Sequence, residues 1–554
     1  MKALDRTMGN RTRRPLLVAG LAAATALIAL PVAAQQSQNW KLCGAAYSNG
    51  QQADLVIRAC TSVIQAGHEN RRNLAIAFYY RGMVYRWRNA TKDDRARAVA
   101  DFTEAIRLDP KYALAYFARG HILTYDETDR AIADFNEAIR INPNYSLSYH
   151  GRASAWHFKN EHDRAIADYT DAIRLDPTFA RAFYDRASAW SSKREYDRAI
   201  ADLSEVIRLD PKKYIASYHV TSTEAYYRRG LAWHQRRDYD RAIADLSEAI
   251  KLGPEDPSPY SDRGRAWLEK RDYDRAIADF SEAIRVELKY RPLPEHFSEV
   301  RAYIDRARAW WAKGEYDRVI ADYTELIRID QHKNDVTYYH RRGNAWHAKG
   351  DYDRAIADYA EAIRRDSNYT DAYIARGNNW HAKGDYDRAI ADFSEAIRLA
   401  PKYAGAYRER GLTHLYSGSL AKALADISQA SELDPKDAYT ALWLDIIVQR
   451  NKVASRLTQA ISTIDMAEWP GPIIRLFLGQ TTPAAVLAAA NSPDPQKRRE
   501  QLCEANFYSA QHALRQGAQQ EALQLFQVAA KDCPRHFIEY APANAELRAI
   551  VGKP

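Results

Sequence analysis

Small and apolar residues recur along this chain on a helical period, and the whole pattern repeats every 34 residues, as between Ala355 and Ala389. In the copy from Thr370 to Pro401, Gly377, Ala389 and Ala396 are small, and Tyr373, Trp380, Tyr386 and Phe393 are bulky. Steps of three, four and seven put each set on one helix face. The pattern predicts a first helix ending near Lys383-Gly384-Asp385 and a second from about Tyr386 to Leu399, stopped by Pro401. Tyr-Asp-Arg-Ala-Ile-Ala-Asp recurs at 196–202, 239–245, 273–279, 352–358 and 386–392, with variants at 129–134, 162–168 and 316–322. Eleven copies are expected: 39–72, 73–110, 111–143, 144–177, 178–211, 212–254, 255–288, 289–331, 332–367, 368–401 and 402–435. One helix pair cannot bury its small-residue face alone, so each must stack on the next.

With Thr370 as position 1, the copies carry a small residue at position 8, an aromatic at 11, Ala at 20 and 27 and Pro at 32. This pattern resembles the tetratricopeptide repeat (TPR) family. The resemblance implies an all-α, right-handed TPR α-solenoid, a superhelix of about 11–12 helix-turn-helix repeats with a helical C-terminal module. Trp156, Trp190, Trp233, Trp267, Trp310, Trp346 and Trp380 share position 11. Beside small residues at helical spacing they read as core rather than as an aromatic ligand ladder. Copies six and eight are nine residues longer, near Tyr214–Ser222 and Arg291–Glu299, which should lengthen a connection or a helix start. Copy eight has Val319 and Leu326 where Ala is usual, so its helices should sit further apart.

Ten copies carry Arg at position 7 and Asp at position 23, as in Arg376 and Asp392. The first copy instead has Cys43 at position 7, Ala59 at 23 and Cys60 at 24. Losing both charges together while gaining two Cys suggests that these positions face one another. An Arg–Asp bridge in ten copies and a disulfide in the first is the reading. Cys503 and Cys533 sit at the open end of a C-terminal helix pair and can also meet. Each bond would stabilise by roughly 3 kcal/mol, stapling the ends where a solenoid lacks a neighbour. No Cys-x-x-Cys spacing supports a metal site.

Arg11, Arg13 and Arg14 precede an apolar run from Leu16 to Leu30 and the small residues Val32-Ala33-Ala34. This is the pattern of a cleaved export signal, residues 1–34, too short for a membrane span of roughly 20 residues. An uncleaved anchor is the rival reading. Without these residues the formal charge falls from +8 to +4, with signs alternating along the helices, which gives no case for nucleic acid. The organisation expected is a signal over 1–34, N-terminal repeats with a capping Cys pair over 35–110, the array over 111–435, an irregular helical segment over 436–497 and a TPR-like capping unit over 498–554.

The last part adds residues outside the repeat: Trp443, the Ile474–Gly479 stretch ending Phe-Leu-Gly, Glu504, Asn506-Phe507-Tyr508, Leu514, Gly517, Ala522, Leu525-Phe526, Ala529, Phe537 and Glu539. Over about 436–550 this order resembles the NlpI-type TPR lipoproteins of Gram-negative bacteria. The resemblance implies a periplasmic adaptor that brings a tail-specific protease to cell-wall hydrolases. The lipid-accepting Cys is absent and the array is longer, so location and adaptor character carry over, and the particular partners do not.

In TPR proteins the first helices line a groove through positions 5, 9 and 12. Here these include His150, His157, Tyr227, His234, Arg265, Arg308, Trp311, His340, Asn344, His347, Asn378 and His381, a lining suited to an extended peptide or a helix. The His residues raise a zinc site or pH switch, which copying of Trp-His-Ala-Lys-Gly explains more simply. No phosphate loop, His-Glu-x-x-His or Gly-x-Ser-x-Gly is present, so no catalytic residue and no cofactor is assigned, and a metal-dependent hydrolase is remote. The function expected is a periplasmic scaffold binding proteins or peptides, without membrane insertion after signal cleavage. The alternative is a structural component of envelope or polysaccharide assembly.

Overall fold

The computed structural model describes residues 32–44, 52–88, 91–209, 221–290, 300–329, 335–455, 457–534 and 539–551, and among them every regular element is a helix. Residues 1–31 of the expected export signal lie outside the described residues, as do most of the two inserts, 214–220 and 291–299. The described chain forms two compact units, Met1–Thr221 and Ser222–Pro554.

Helix pairs follow the sequence pattern closely. The copy beginning at Thr370 folds as Thr370–Lys383 and Tyr386–Leu399. Gly384 joins them at φ +81°, a left-handed conformation that closes the first helix. Asp385 then caps the second by accepting the backbone N–H of Arg388. A Cβ on Gly377 would come within 2.8 Å of the Phe393 ring, so position 8 must be small for the helices to meet. Ala389, Phe393 and Ala396 are fully buried beside it.

Other letters of the repeated motif also acquire a job. The ten Arg residues at position 7 each grip their Asp with two parallel bonds, Nη2 to Oδ1 at 2.5–2.7 Å and Nε to Oδ2 at 2.7–3.1 Å. In eight of them Nη1 also donates to the side chain two residues past the Asp position of the preceding copy, such as Ser394 for Arg410. One guanidinium therefore joins its own two helices and ties them to the pair before. Arg376 has no such third bond, because Ala360 stands where other copies have Ser, Thr or Asn. The hydrogen bonds to Asp392 hold the Arg376 guanidinium above its usual range. At Asp101, Asp168, Asp202 and Asp322 burial pushes the carboxyl up, so there the pairing offsets a desolvation cost.

The position-11 tryptophans pack against the core, as Trp156, Trp190, Trp267, Trp310 and Trp346 do, but they are only half-buried. Their outer faces are covered by the Arg of the Tyr-Asp-Arg motif, as with Arg388 lying 4.6 Å from the Trp380 ring centre and Arg354 3.8 Å from that of Trp346. The Asp of the same motif receives the Lys that follows Trp by three residues in the next copy, as Asp353 does from Lys383. Around the longer eighth copy, Tyr273–Tyr290 is extended by a turn beyond its counterparts. Val300–Ala312 and Tyr316–Ile329, which hold Val319 and Leu326, make the sparsest backbone approach of the array's pairs.

Cys43 and Cys60 lie 4.7 Å apart at Cα with their sulfurs in bonding range, and Cys503 and Cys533 lie 5.0 Å apart likewise. Beyond Ala438 the packing changes. Trp443, Ile473, Phe477, Phe507, Tyr508 and Phe526 form one apolar cluster that also receives Leu547 and Ile550 of the last helix, Tyr540–Val551.

Candidate functional site

The residues expected to line the wall of first helices fall into two groups. Half spend their polar atoms on the neighbouring pair, and Asn344 spends its own within its copy. His150 Nε2 lies 2.8 Å from Asp185 Oδ2, and Arg181 donates to the same oxygen. Burial opposes ionisation of Asp185, but the His150 hydrogen bond and the Arg181 charge outweigh it and hold the carboxyl below its usual range. Tyr227 Oη donates to Asp262 at 2.8 Å, and burial beside that carboxylate pushes its hydroxyl well up. Arg265 donates to Asp305 at 2.8 Å and also pairs with Asp262. His340 Nδ1 meets Tyr369 Oη at 3.1 Å, and Asn344 Oδ1 accepts from Tyr359 Oη at 2.7 Å. His347 Nδ1 meets Asn379 Oδ1 at 2.9 Å, and His381 Nδ1 meets Thr413 Oγ1 at 2.9 Å.

The spacing in sequence hides these links. At His150 and Tyr227 position 5 reaches position 6 of the next copy, at His340 it reaches the residue before that copy's first helix, and position 12 reaches position 10, so a helix-face projection of one copy shows an open polar surface where stacked copies show a ladder. His340 and His381 are accordingly poor sensors near neutral pH. Burial pushes His340 and His381 down to about 4, which leaves both neutral at pH 7. His157 and His234 are half-buried with one ring nitrogen each unpartnered. Among the described residues no three His, Cys, Asp or Glu side chains gather as metal ligands.

A second group stays available. In Val300–Ala312 and Val336–Ala348, Arg301, Arg308 and Arg341 are exposed, with the Arg308 side chain 62% accessible. Trp311 stands half-buried beside them with its ring edge on Tyr316, 5.1 Å between centres. Asp305, buried, anchors the basic group by accepting from Arg265 and pairing with Arg308. The sequence marked Arg308 and Trp311 but not Arg301, which shares their helix and flanks the same Asp305, nor Arg341, which comes from the next copy and joins Arg308 near Tyr323 through stacking.

Towards the end of the array the wall is covered by the chain itself. Glu546 of the last helix accepts from Tyr416 at 3.2 Å, from Arg450 at 2.6 Å and from Gln511 at 3.0 Å. Ala545, Arg548 and Ala549 face Lys383, Tyr386 and Tyr416 across a cleft, and His381 is buried close to the Arg548 charge. A guest would reach His381 only by displacing this helix, whereas Asn378, one turn earlier, remains half-exposed.

A family model described as tetratricopeptide repeat matches residues 91–146, 158–214, 261–334, 305–370, 340–404 and 374–438, and a second of the same description matches 223–256. Among solved structures the chain is similar to YrrB, described as a TPR protein with an unusual peptide-binding site, at 19% identity over 38% of this chain and 98% of that one, with a TM-score of 0.30. It is similar to yeast Tom70 at 17% identity over 87% and 96% of the two chains, with a TM-score of 0.33. The C-terminal part of a TPR repeat-containing protein from Cytophaga hutchinsonii gives 17% identity, 46% and 96% coverage and a TM-score of 0.38.

Proposed function

This chain belongs to the tetratricopeptide repeat family, and we propose that it is a protein-interaction scaffold whose guest docks on the first helices around Val300–Ala348. The observation that carries this reading is the cluster of Arg301, Arg308 and Arg341 beside Trp311, accessible where equivalent side chains elsewhere are used up between copies. Three guanidinium groups beside an indole suit an extended or helical segment bearing carboxylates and one large apolar side chain. Reversing two of the charges tests it. Full-length protein and the Arg308→Glu/Arg341→Glu variant are compared for proteins retained from an envelope extract, with matched melting temperatures. Guests lost from the variant support the docking surface, and an unchanged set of guests sinks it.

The compartment proposed is the periplasm of a Gram-negative bacterium, where the scaffold would present guests to proteases or cell-wall hydrolases, as the NlpI-type resemblance implies. Among the described residues all four cysteines are paired and no helix is long and apolar enough to cross a membrane, both compatible with export. Fractionation with thiol labelling checks this: unlabelled cysteines in the periplasmic fraction are expected, and labelled cytoplasmic protein would end the assignment.

A further inference from the structure

The C-terminal module contains a cleft of about 550 Å³ that the wall of first helices does not use. Its lining includes Tyr439 and Trp443 from Ala438–Arg450, Trp469 from the following loop, Glu504 from Pro495–Arg515, and Glu539 just before the last helix. Glu504 is 5% exposed and Glu539 1% exposed. Tyr439 Oη donates to both Glu504 oxygens at 2.9 and 3.0 Å, and Trp469 Nε1 donates to Oε2 of the same carboxyl. Tyr508 Oη reaches Glu539 Oε1 only at 3.4 Å, and Glu539 Oε2, buried, has no hydrogen-bond partner.

Leaving a buried carboxyl oxygen without a donor destabilises the fold, the more so if the group is charged. Nothing in the core requires an acid there, since the apolar cluster packs beneath it. Four carboxyls line the cleft (Glu468, Glu500, Glu504 and Glu539) against two cations. One of those cations, Arg408, is already answered by Glu409 and by Asp437 at 2.7 Å. The other, Lys497, is exposed at the rim. An anionic guest is disfavoured on charge. A bare metal ion is a poor fit to a wide cleft walled by rings.

We propose that this cleft binds an organic cation, a guanidinium or ammonium head such as an arginine or lysine side chain carries. Its N–H groups would meet Glu539 Oε2 and Glu504, and its aliphatic stem would lie on Trp469 and Tyr439. This site is lined by other residues than the basic surface around Arg308 and does not depend on that reading.

Protonation supplies a signature. Glu504 faces Tyr439, Trp469, Glu500 and Glu539, while Glu539 faces Glu504, Tyr508 and Arg408. Burial pushes Glu504 up to about 7 and Glu539 well above the usual carboxylate range, so a cation that holds both ionised must release protons as it binds.

The test is calorimetric titration of the full chain with N-acetylarginine amide and N-acetyllysine amide, with N-acetylcitrulline amide as the neutral isostere. One cation should bind saturably and citrulline should not. Affinity should fall about tenfold from about pH 8 to about pH 6 as Glu504 takes a proton, and the heat should depend on buffer ionisation. Glu504→Gln and Glu539→Gln should each lose about tenfold or more in affinity while melting no lower than the parent. Citrulline binding as well as arginine, pH-independent binding, unaffected Gln variants, or no saturable heat with either cation would each overturn the proposal. The citrulline and pH comparisons use unmodified protein, so they decide the question even if a variant folds poorly.

Discussion

Copies in the array pack their alanines around one large side chain at position 24, as Phe393 with Ala389 and Ala396 or Leu246 with Ala242 and Ala249, whereas the module beyond Ala438 gathers many large apolar side chains, Trp443, Phe477, Phe507 and Phe526 among them, into one cluster. The array makes up for its thin core with a recurring stitch: a guanidinium that holds its own carboxylate and, in most copies, reaches back to the preceding pair. The module has no such series and confines its carboxyls to a cleft. A periodic chain can add copies without redesign because the stitch refers only to nearest neighbours. Past the periodic copies the last helix folds back instead, its Glu546 accepting from Tyr416 and Arg450.

The largest effect should separate the two modes of packing. Phe507→Ala is expected to cost about 3–5 kcal/mol and to loosen the module as one body. Phe393→Ala should cost a similar amount but open only adjacent pairs. Hydrogen exchange read peptide by peptide distinguishes them, and equally wide loss of protection in both variants would break the contrast.

A pH effect of about 3 kcal/mol comes next and belongs to the module alone. Glu504, pushed up to about 7 by burial, keeps a proton in the folded state that the unfolded chain gives up near 4.5. Its contribution is therefore most favourable below 4.5, declines as pH rises toward about 7 and is flat above. Denaturant melts of the parent and Glu504→Gln should diverge across that window, with the variant more stable at its upper end. Parallel curves would remove the buried acid from the account.

Much of the array was legible because its information is local. The 34-residue period, the small position 8 and the paired Arg and Asp all lie within one copy, and Gly384 and Asp385 announce the turn between helices. What escaped was whatever passes from one copy to the next. The half-buried Trp380 looked like core because Arg388, eight residues later, gave no sign of folding over it. His150 and Tyr227 looked like an open wall because Asp185 and Asp262 belong to the following copies. The aromatic and acidic residues of the module were visible, but the cleft needs Tyr439, Trp469, Glu504 and Glu539 together, across a hundred residues with no period to relate them.

The smallest effect exploits a gap in the pattern. Ala360→Ser places a hydroxyl where Arg376 has an unfilled third bond, and a gain of about 0.5–1 kcal/mol is expected. The same change at a helix position facing no guanidinium should cost about 0.5 kcal/mol, since Ser forms helix less readily than Ala, and an equal response at both positions would remove the third bond from the account.

The central claim is that the array is held by its Arg–Asp stitches, and a double-mutant cycle on Arg376 and Asp392 tests it most directly. With the Arg376 side chain 22% accessible and that of Asp392 9%, a coupling energy of about 2–3 kcal/mol is expected, below the range for fully buried pairs. A coupling within about 0.5 kcal/mol of zero would make the ten pairs passive copies of one ancestral surface contact, and the array would then have to be held by its alanines and rings alone.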